Sequence, residues 1–154
     1  MAILQQRGQQ IAGANAGRIR DSVVQPATFV LNSDYQRGMT TSLQCGLRAV
    51  PPGAEGVLFT LVDHPAVSAE TIDALLGAGR GLLRVPRLGG RRGHPIWFST
   101  ELIPEFLTIP ENGAARDVVR AHAADTEFLD LDDPGILADI DDPAAYVKLT
   151  GAAI

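Results

Sequence analysis

The stretch Leu58–Ile72, "LFTLVDHPAVSAETI", ends an apolar run on one carboxylate, Asp63, follows it with His64 and Pro65, and then starts a helix. A carboxylate at the end of a buried strand suits a hard cation, since Mg²⁺ is usually held by one or two carboxylates completed by phosphates and water. In open α/β sheets, ligands gather outside the carboxyl ends of the strands, and Asp63 stands at such an end. The position also suits a cap for the helix beginning near Pro65 or Ser68, and position alone divides the two roles evenly. His64 could orient Asp63, meet a phosphate, or be a turn residue. His122 ends an expected helix, where the dipole favours a cation, and takes no catalytic role. His64, His94 and His122 lack the spacing of a zinc site. The acidic run Asp130–Asp133 lacks the spacing of a calcium-binding loop and reads as a solvated strand end. The chain has no Gly-x-Ser-x-Gly elbow. The Gly-rich "IAGANAGRIR" (Ile11–Arg20) is neither a Walker A loop nor a dinucleotide fingerprint, because the lysine and the glycine spacing are both missing.

Arg80, Arg84, Arg87, Arg91 and Arg92 fall close together, and the cluster could meet a small anion or be a solvated loop. The net charge is −5, with an acid-rich segment from Asp125 to Asp142, which argues against a nucleic-acid partner. No apolar run reaches the ~18 residues a membrane span needs, and "MAILQQRGQQ" lacks a signal-peptide pattern. A cytoplasmic protein with no membrane partner is expected. The single Cys45 cannot form an internal disulfide and is expected as a buried small residue.

These groups need elements to position them. "ATFVL" (Ala27–Leu31) reads as a strand. Leu43, Leu47 and Val50 fall at helical spacing, giving a helix over Thr40–Val50 with an N-cap from Thr40, Thr41 or Ser42. Val57–Val62 reads as a strand covered on both faces, as in a parallel sheet. "SAETIDALLGAG" has the start and stop signals of a helix. "LLRVP" and "PIWFS" read as strands around a flexible Gly/Arg-rich loop, Glu101–Leu107 and Ala114–His122 as short helices, and "TEFLDLD" as a strand. "DPAAYVKLTG" closes with a helix carrying Pro143 in its first turn. Trp97 and Phe98 read as core. Alternating strands and helices mark an α/β layered domain, and 154 residues suffice for a single one.

Four segments in order, "NSDYQRGMTTSLQCGL", "LVDHP", "GRRGHPIWF" and "DPGILADIDDPAAY", resemble the MobA-like nucleotidyltransferases that make the dinucleotide form of molybdenum cofactor, above all the cytidylyltransferase branch. The resemblance runs from about residue 11 to about 149. It implies an α/β, Rossmann-like three-layer fold that binds CTP or GTP with Mg²⁺ and transfers the nucleotide to the phosphate of molybdopterin. In that reading Asp63 is the metal-binding and catalytic aspartate, with Asp139 or Asp141 as a second carboxylate. Thr41, Ser42 and Leu43 lie beside the nucleotide. Gly93, His94 and Pro95 face the pterin, His94 as a catalytic candidate, with Arg91 and Arg92 supplying donors for phosphate.

The family's Gly-rich triphosphate loop, with its following lysine, has no counterpart here. Only thirteen residues separate Arg18 from Asn32, and the only lysine is Lys148. "GANAGRIRDSV" aligns better with the turn and helix after the family's second strand. The chain then corresponds to the C-terminal two-thirds of the family domain, with an incomplete sheet and little transfer activity alone. Two strands would be missing between Ala27–Leu31 and Val57–Val62, a gap of roughly 10 Å or more at about 4.8 Å per strand. Either "MAILQQRGQQIA" fills part of it or Ala27–Leu31 moves in directly. Both leave an altered edge, which a homodimer is expected to cover. The alternatives are a non-catalytic member acting as a binding or oligomerisation module, and an unrelated α/β binding domain.

Overall fold

The computed structural model describes residues 2–4, 7–12, 16–22, 27–77, 79, 81–110 and 112–150. The apolar run before Asp63 forms strand β4 (Gly56–Phe59), shorter than the sequence suggested. The chain turns at Leu61, whose carbonyl accepts from His64 N at 3.3 Å, and this leaves Val62 82% exposed. Val57, Leu58 and Phe59 are all buried, as a strand covered on both faces requires. Its neighbours are nevertheless antiparallel: β1 (Ala2–Leu4) on one side and β7 (Ile96–Ser99) on the other. Burial on both faces needs only helices above and below, and these are present here without parallel pairing.

β1 continues antiparallel into β2 (Arg7–Ala12), which pairs in parallel with β3 (Ala27–Leu31). The N-terminal segment therefore supplies two strands between β3 and β4. The sheet is continuous, so the N-terminal segment fills the gap, the first of the two repairs that the sequence allows. Beyond β7 come β5 (Leu83–Leu88) and β6 (Arg91–Arg92), while β8 (Thr126–Asp130) pairs with β5 in parallel. The turn joining β5 to β6 has positive φ at Gly89 and Gly90, 56° and 82°, which favours glycine in such two-residue hairpins. The Gly/Arg-rich segment is thus a paired hairpin rather than an open loop.

Helix α1 (Ala16–Ser22) connects β2 to β3. On one face of the sheet lie α2 (Met39–Arg48), α4 (Ile103–Leu107) and α5 (Ala115–Ala121). Their Leu43, Leu47, Phe106 and Val118 form the main core with Val57, Phe59, Leu83 and Phe98 from the strands. Alternation along a strand sends Leu58 and Arg84 to the opposite face, where α3 (Ala69–Leu76) packs across β5 and β7. The last helix, α6 (Pro143–Thr150), begins at Pro143 as expected. The N-cap of α2 is Gly38 rather than a hydroxyl residue, because Thr41 Oγ1 donates to Gly38 O and Asp34 O instead. Cys45 is half-buried rather than buried, its thiol 3.5 Å from Leu31 O.

Candidate functional site

Strand directions decide what can meet. The pairings make β2, β3, β4, β5 and β8 run the same way. Asn32, Asp63, the residues after β5 and the segment after β8 therefore emerge at one edge of the sheet, together with the turn that precedes antiparallel β7.

At the β4 end, Asp63 Oδ1, His64 Nδ1 and His94 Nδ1 are buried without a hydrogen-bond partner. The His64 and His94 rings lie 5.1 Å apart at 43°, and His94 meets the Phe59 ring edge-on at 6.2 Å. Burial, and then the neighbouring His64, hold His94 below the usual histidine range, against the opposing pull of Asp63. His94 is thus a neutral imidazole near pH 7. Buried polar atoms rarely lack partners, so three in one cluster mark a place built to receive something polar.

A strap formed by residues 133–140 holds this cluster. Asp133, 9% exposed, accepts from Ser68 N at 2.9 Å, Thr71 Oγ1 at 2.7 Å and Gly135 N at 2.8 Å. Burial works against its charge, but these bonds outweigh it and hold its carboxyl below the usual range. Ser68 itself caps α3, accepting from Thr71 N. Further along the strap, Ile136 O accepts from His94 N at 3.0 Å, and Ile140 N donates to Asp63 O at 2.8 Å. Asp139 and Asp141, both exposed, therefore flank a residue bonded to the backbone of Asp63. The strap presses so closely that a side chain at Gly93 would meet Ile136 O, and one at Gly135 would meet Ala66 O. Asp133 was expected in solvent and is a buried anchor instead. Its legible signal is an aspartate directly before a proline, the cap-then-Pro start of a helical turn.

Among the described residues, no group of three or more His, Cys, Asp or Glu could hold a metal unaided. Asp63 fits a hard ion in a different way: its free carboxylate oxygen offers one protein ligand, with water or phosphate to supply the rest.

At the other side of the edge, Asn32 is buried and its Nδ2 donates to Thr41 Oγ1 at 3.0 Å and Ser42 Oγ at 2.9 Å. Its Oδ1 accepts from Asp34 N. Asn32 so fixes the two hydroxyls of the first turn of α2, while the Leu43 side chain is buried in the core. Sequence reasoning used Asn32 only as the start of a motif.

The arginines divide by role. Arg84 is buried: its guanidinium donates to Leu75 O, Gly77 O and Gly79 O, closing the end of α3, and lies 3.9 Å from the centroid of the Trp97 ring. Arg87 pairs with Asp130 through two 2.7 Å bonds. Arg91 and Arg92 are exposed on β6, with Arg92 4.7 Å over the Phe128 ring. Arg80 lies outside the described residues. Pro95 is buried behind His94, and Phe98 is core as expected. His122 caps α5 and pairs with Glu105 at 2.8 Å.

Residues 4–126 match the MobA-like NTP transferase domain. The chain is 30% identical over 115 residues to the purine catabolism protein PucB of Bacillus subtilis, covering 73% of this chain and 56% of PucB. It is 31% identical to a phosphoenolpyruvate guanylyltransferase of Sphaerobacter thermophilus, covering 93% of this chain and 76% of that protein. The chain thus spans little more than half the length of the first relative. In fold it resembles Rv0371c of Mycobacterium tuberculosis, with TM-score 0.77, 24% identity, and coverage of 96% of this chain and 76% of that one. A structure of Rv0371c in complex with manganese gives TM-score 0.75 at 23% identity, covering 96% of this chain and 79% of that one. A nucleotidyl transferase of a Methanothermobacter species gives 0.78 at 19%, covering 95% and 72%. The chain belongs to the MobA-like NTP transferase family.

Proposed function

We propose that this member of the family forms the metal and acceptor side of a site that moves CMP or GMP from CTP or GTP to an anionic phosphate acceptor of the molybdopterin type. The observation that supports this most is Asp63, a carboxylate in the turn after β4 with a buried, unpartnered oxygen, tied through its backbone to the segment bearing Asp139 and Asp141. Thr41 and Ser42, oriented by Asn32, are the hydroxyls offered to the nucleotide. Arg91, Arg92 and His94 are offered to the acceptor.

An acceptor phosphate is already ionised at neutral pH, so its oxygen needs no base. That oxygen forms a bond to the nucleotide α-phosphorus, the bond from the α-phosphorus to the bridging oxygen breaks, and pyrophosphate leaves with the electron pair. The protein's task is orientation and charge neutralisation. A bound Mg²⁺ or Mn²⁺ would supply neutralisation among the phosphates, with Asp63 as its first protein ligand and Asp139 or Asp141 as the second. His94, neutral and with a free Nδ1, can hydrogen-bond the acceptor without adding charge. The guanylyltransferase relative favours a second reading, GTP with a small phosphate such as phosphoenolpyruvate.

A different reading rests on the 154 residues themselves, which contain neither the Gly-rich loop nor its lysine. In it the chain binds ligand or partner without turnover. Calorimetry with Mn²⁺ and CTP or GTP, on the wild-type chain and Asp63→Asn, tests the metal assignment. At least a tenfold loss of metal-dependent nucleotide affinity is expected, ~1.4 kcal/mol. Unchanged affinity would reduce Asp63 to a turn residue.

A further inference from the structure

We infer that the outer edge of β8 is a docking site for an extended, basic segment of a partner protein, which joins the sheet as a further strand. β8 pairs in parallel with β5 through a continuous register, from Leu83 opposite Thr126 to Arg87 opposite Asp130. Just past it, Leu131 N donates to Arg87 O at 2.9 Å. Alternate residues of a strand turn their backbone groups to opposite sides, so Glu127, Leu129 and Leu131 face β5. Thr126, Phe128 and Asp130 then present their N–H and C=O groups to the other side. Among the described residues no strand pairs there. A row of such groups is a template for a further strand. Natural edges are usually blunted by a bulge, a proline or a lysine, and β8 has none of these.

Charge selects the occupant. Asp125, Glu127, Asp130 and Asp132 are exposed along the strand and at its ends. Asp130 is paired with Arg87, and Arg87 and Arg92 both lie over the Phe128 ring. Glu127 takes the opposite face by alternation. Its register partner Arg84 is buried and gives its donors to three carbonyls, so that face of the edge is acidic. Two copies set edge to edge along β8 would bring like charges together. A segment with lysines or arginines on one face and apolar residues on the other instead meets Glu127 on one side and the half-buried Phe128 on the other. Main-chain bonds give such an added strand its affinity, and its alternate side chains give specificity. β8 runs directly into the strap that holds Asp63 and His94, so the segment lands beside the candidate site.

The test uses the whole chain at low ionic strength, where exposed charges are least screened. A blocked heptapeptide of alternating Lys and Val is expected to bind at least about tenfold more tightly than its counterpart of Glu and Val. Glu127→Lys with Asp132→Lys should reverse that order. N-methylation of one alternate set of peptide amides should abolish binding to the wild-type chain, and of the other set should leave it, because only one set faces β8. Bound peptide should slow amide exchange at Thr126, Phe128 and Asp130 and leave Glu127 and Leu129, which face β5, unchanged. Equal affinity for the two peptides, no binding of the basic one, or indifference to the double variant overturns the inference. Equal effects of the two N-methylated sets would reduce the binding to a general charge contact and overturn it as well. Edge amides protected without peptide, and less so on dilution, would give the edge to a second copy of the chain and refute the basic partner.

Discussion

Replacing Asp133 by Asn keeps the shape of the side chain and removes its charge. Three donors converge on the carboxylate, from Ser68 N, Thr71 Oγ1 and Gly135 N, all within 2.9 Å. A hydrogen bond to a charged group contributes about 1.5–3 kcal/mol, but the three share one carboxylate and do not add. Breaking a buried charged network by removing one partner costs about 3–5 kcal/mol. Asparagine keeps one acceptor and turns its NH₂ toward a donor, so about 2–3 kcal/mol is expected. With a urea slope of about 2 kcal/mol/M, the unfolding midpoint falls by about 1–1.5 M. The pH dependence is specific. The folded-state pKa of Asp133 lies below its ordinary value, so its contribution is fully present above the unfolded value of about 3.9. It is lost as pH falls through the lower folded value. The gap between wild type and Asp133→Asn is therefore full at pH 6–7 and narrows below about pH 4. A midpoint unchanged at pH 7, or a gap equally wide at pH 3, would refute the assignment of the charge.

The 154-residue chain alone is expected to release pyrophosphate from CTP or GTP with molybdopterin only at background rate, because the Gly-rich motif and lysine expected of a triphosphate loop are not found in its sequence; robust release refutes this. Arg84→Met leaves three carbonyls at the end of α3 without their donor and is expected to cost about 3 kcal/mol in urea denaturation, the scale for losing a buried charged partner. A loss under 1 kcal/mol would show that Arg84 acts only by packing on Trp97. The altered sheet edge still calls for a homodimer, and light scattering at low micromolar concentration checks it: a stable monomer of 16.3 kDa would show that the chain closes its own sheet.

Most helices and several strands were legible because their residues repeat at the right period between strong stop signals. The start of α3 is an example: Ser68 caps it as its position in the sequence implies. What was not legible was pairing. Val57–Phe59 is as apolar as a parallel strand, and nothing in its own residues says that β1 and β7 run against it. β1 and β2 carry too little apolar alternation to announce themselves in "MAILQQRGQQIA". The site shows the same division. Asp63 could be found because it ends an apolar run, and His94 because it belongs to a motif. Arg84 could not be told from a surface charge, and the Asp-Pro pair at Asp133 marks a local cap but not the burial that Ser68 and Thr71 give it.

Asp63 follows β4, His94 precedes β7, and Asp139–Asp141 follow β8, so three loops from three strands must agree on one geometry. Side chains on loops are held less firmly than those on strands, and a constellation built on them depends on its supporting contacts. Here the support is the strap: Asp133 grips the start of α3, Ile136 O holds His94 N, and Ile140 N holds Asp63 O. Asn32, Thr41 and Ser42 have their own bonds and no tie to the strap. Releasing Asp133 therefore frees one end of a segment that carries the other two ties, and leaves the α2 turn alone. In Asp133→Asn, amide exchange at His94 and Ile140 is expected to quicken together and by more than at the α2 amides, which follow only the fall in global stability. Equal quickening at both places would mean that the substitution lowers global stability only, and that the strap does not position the site.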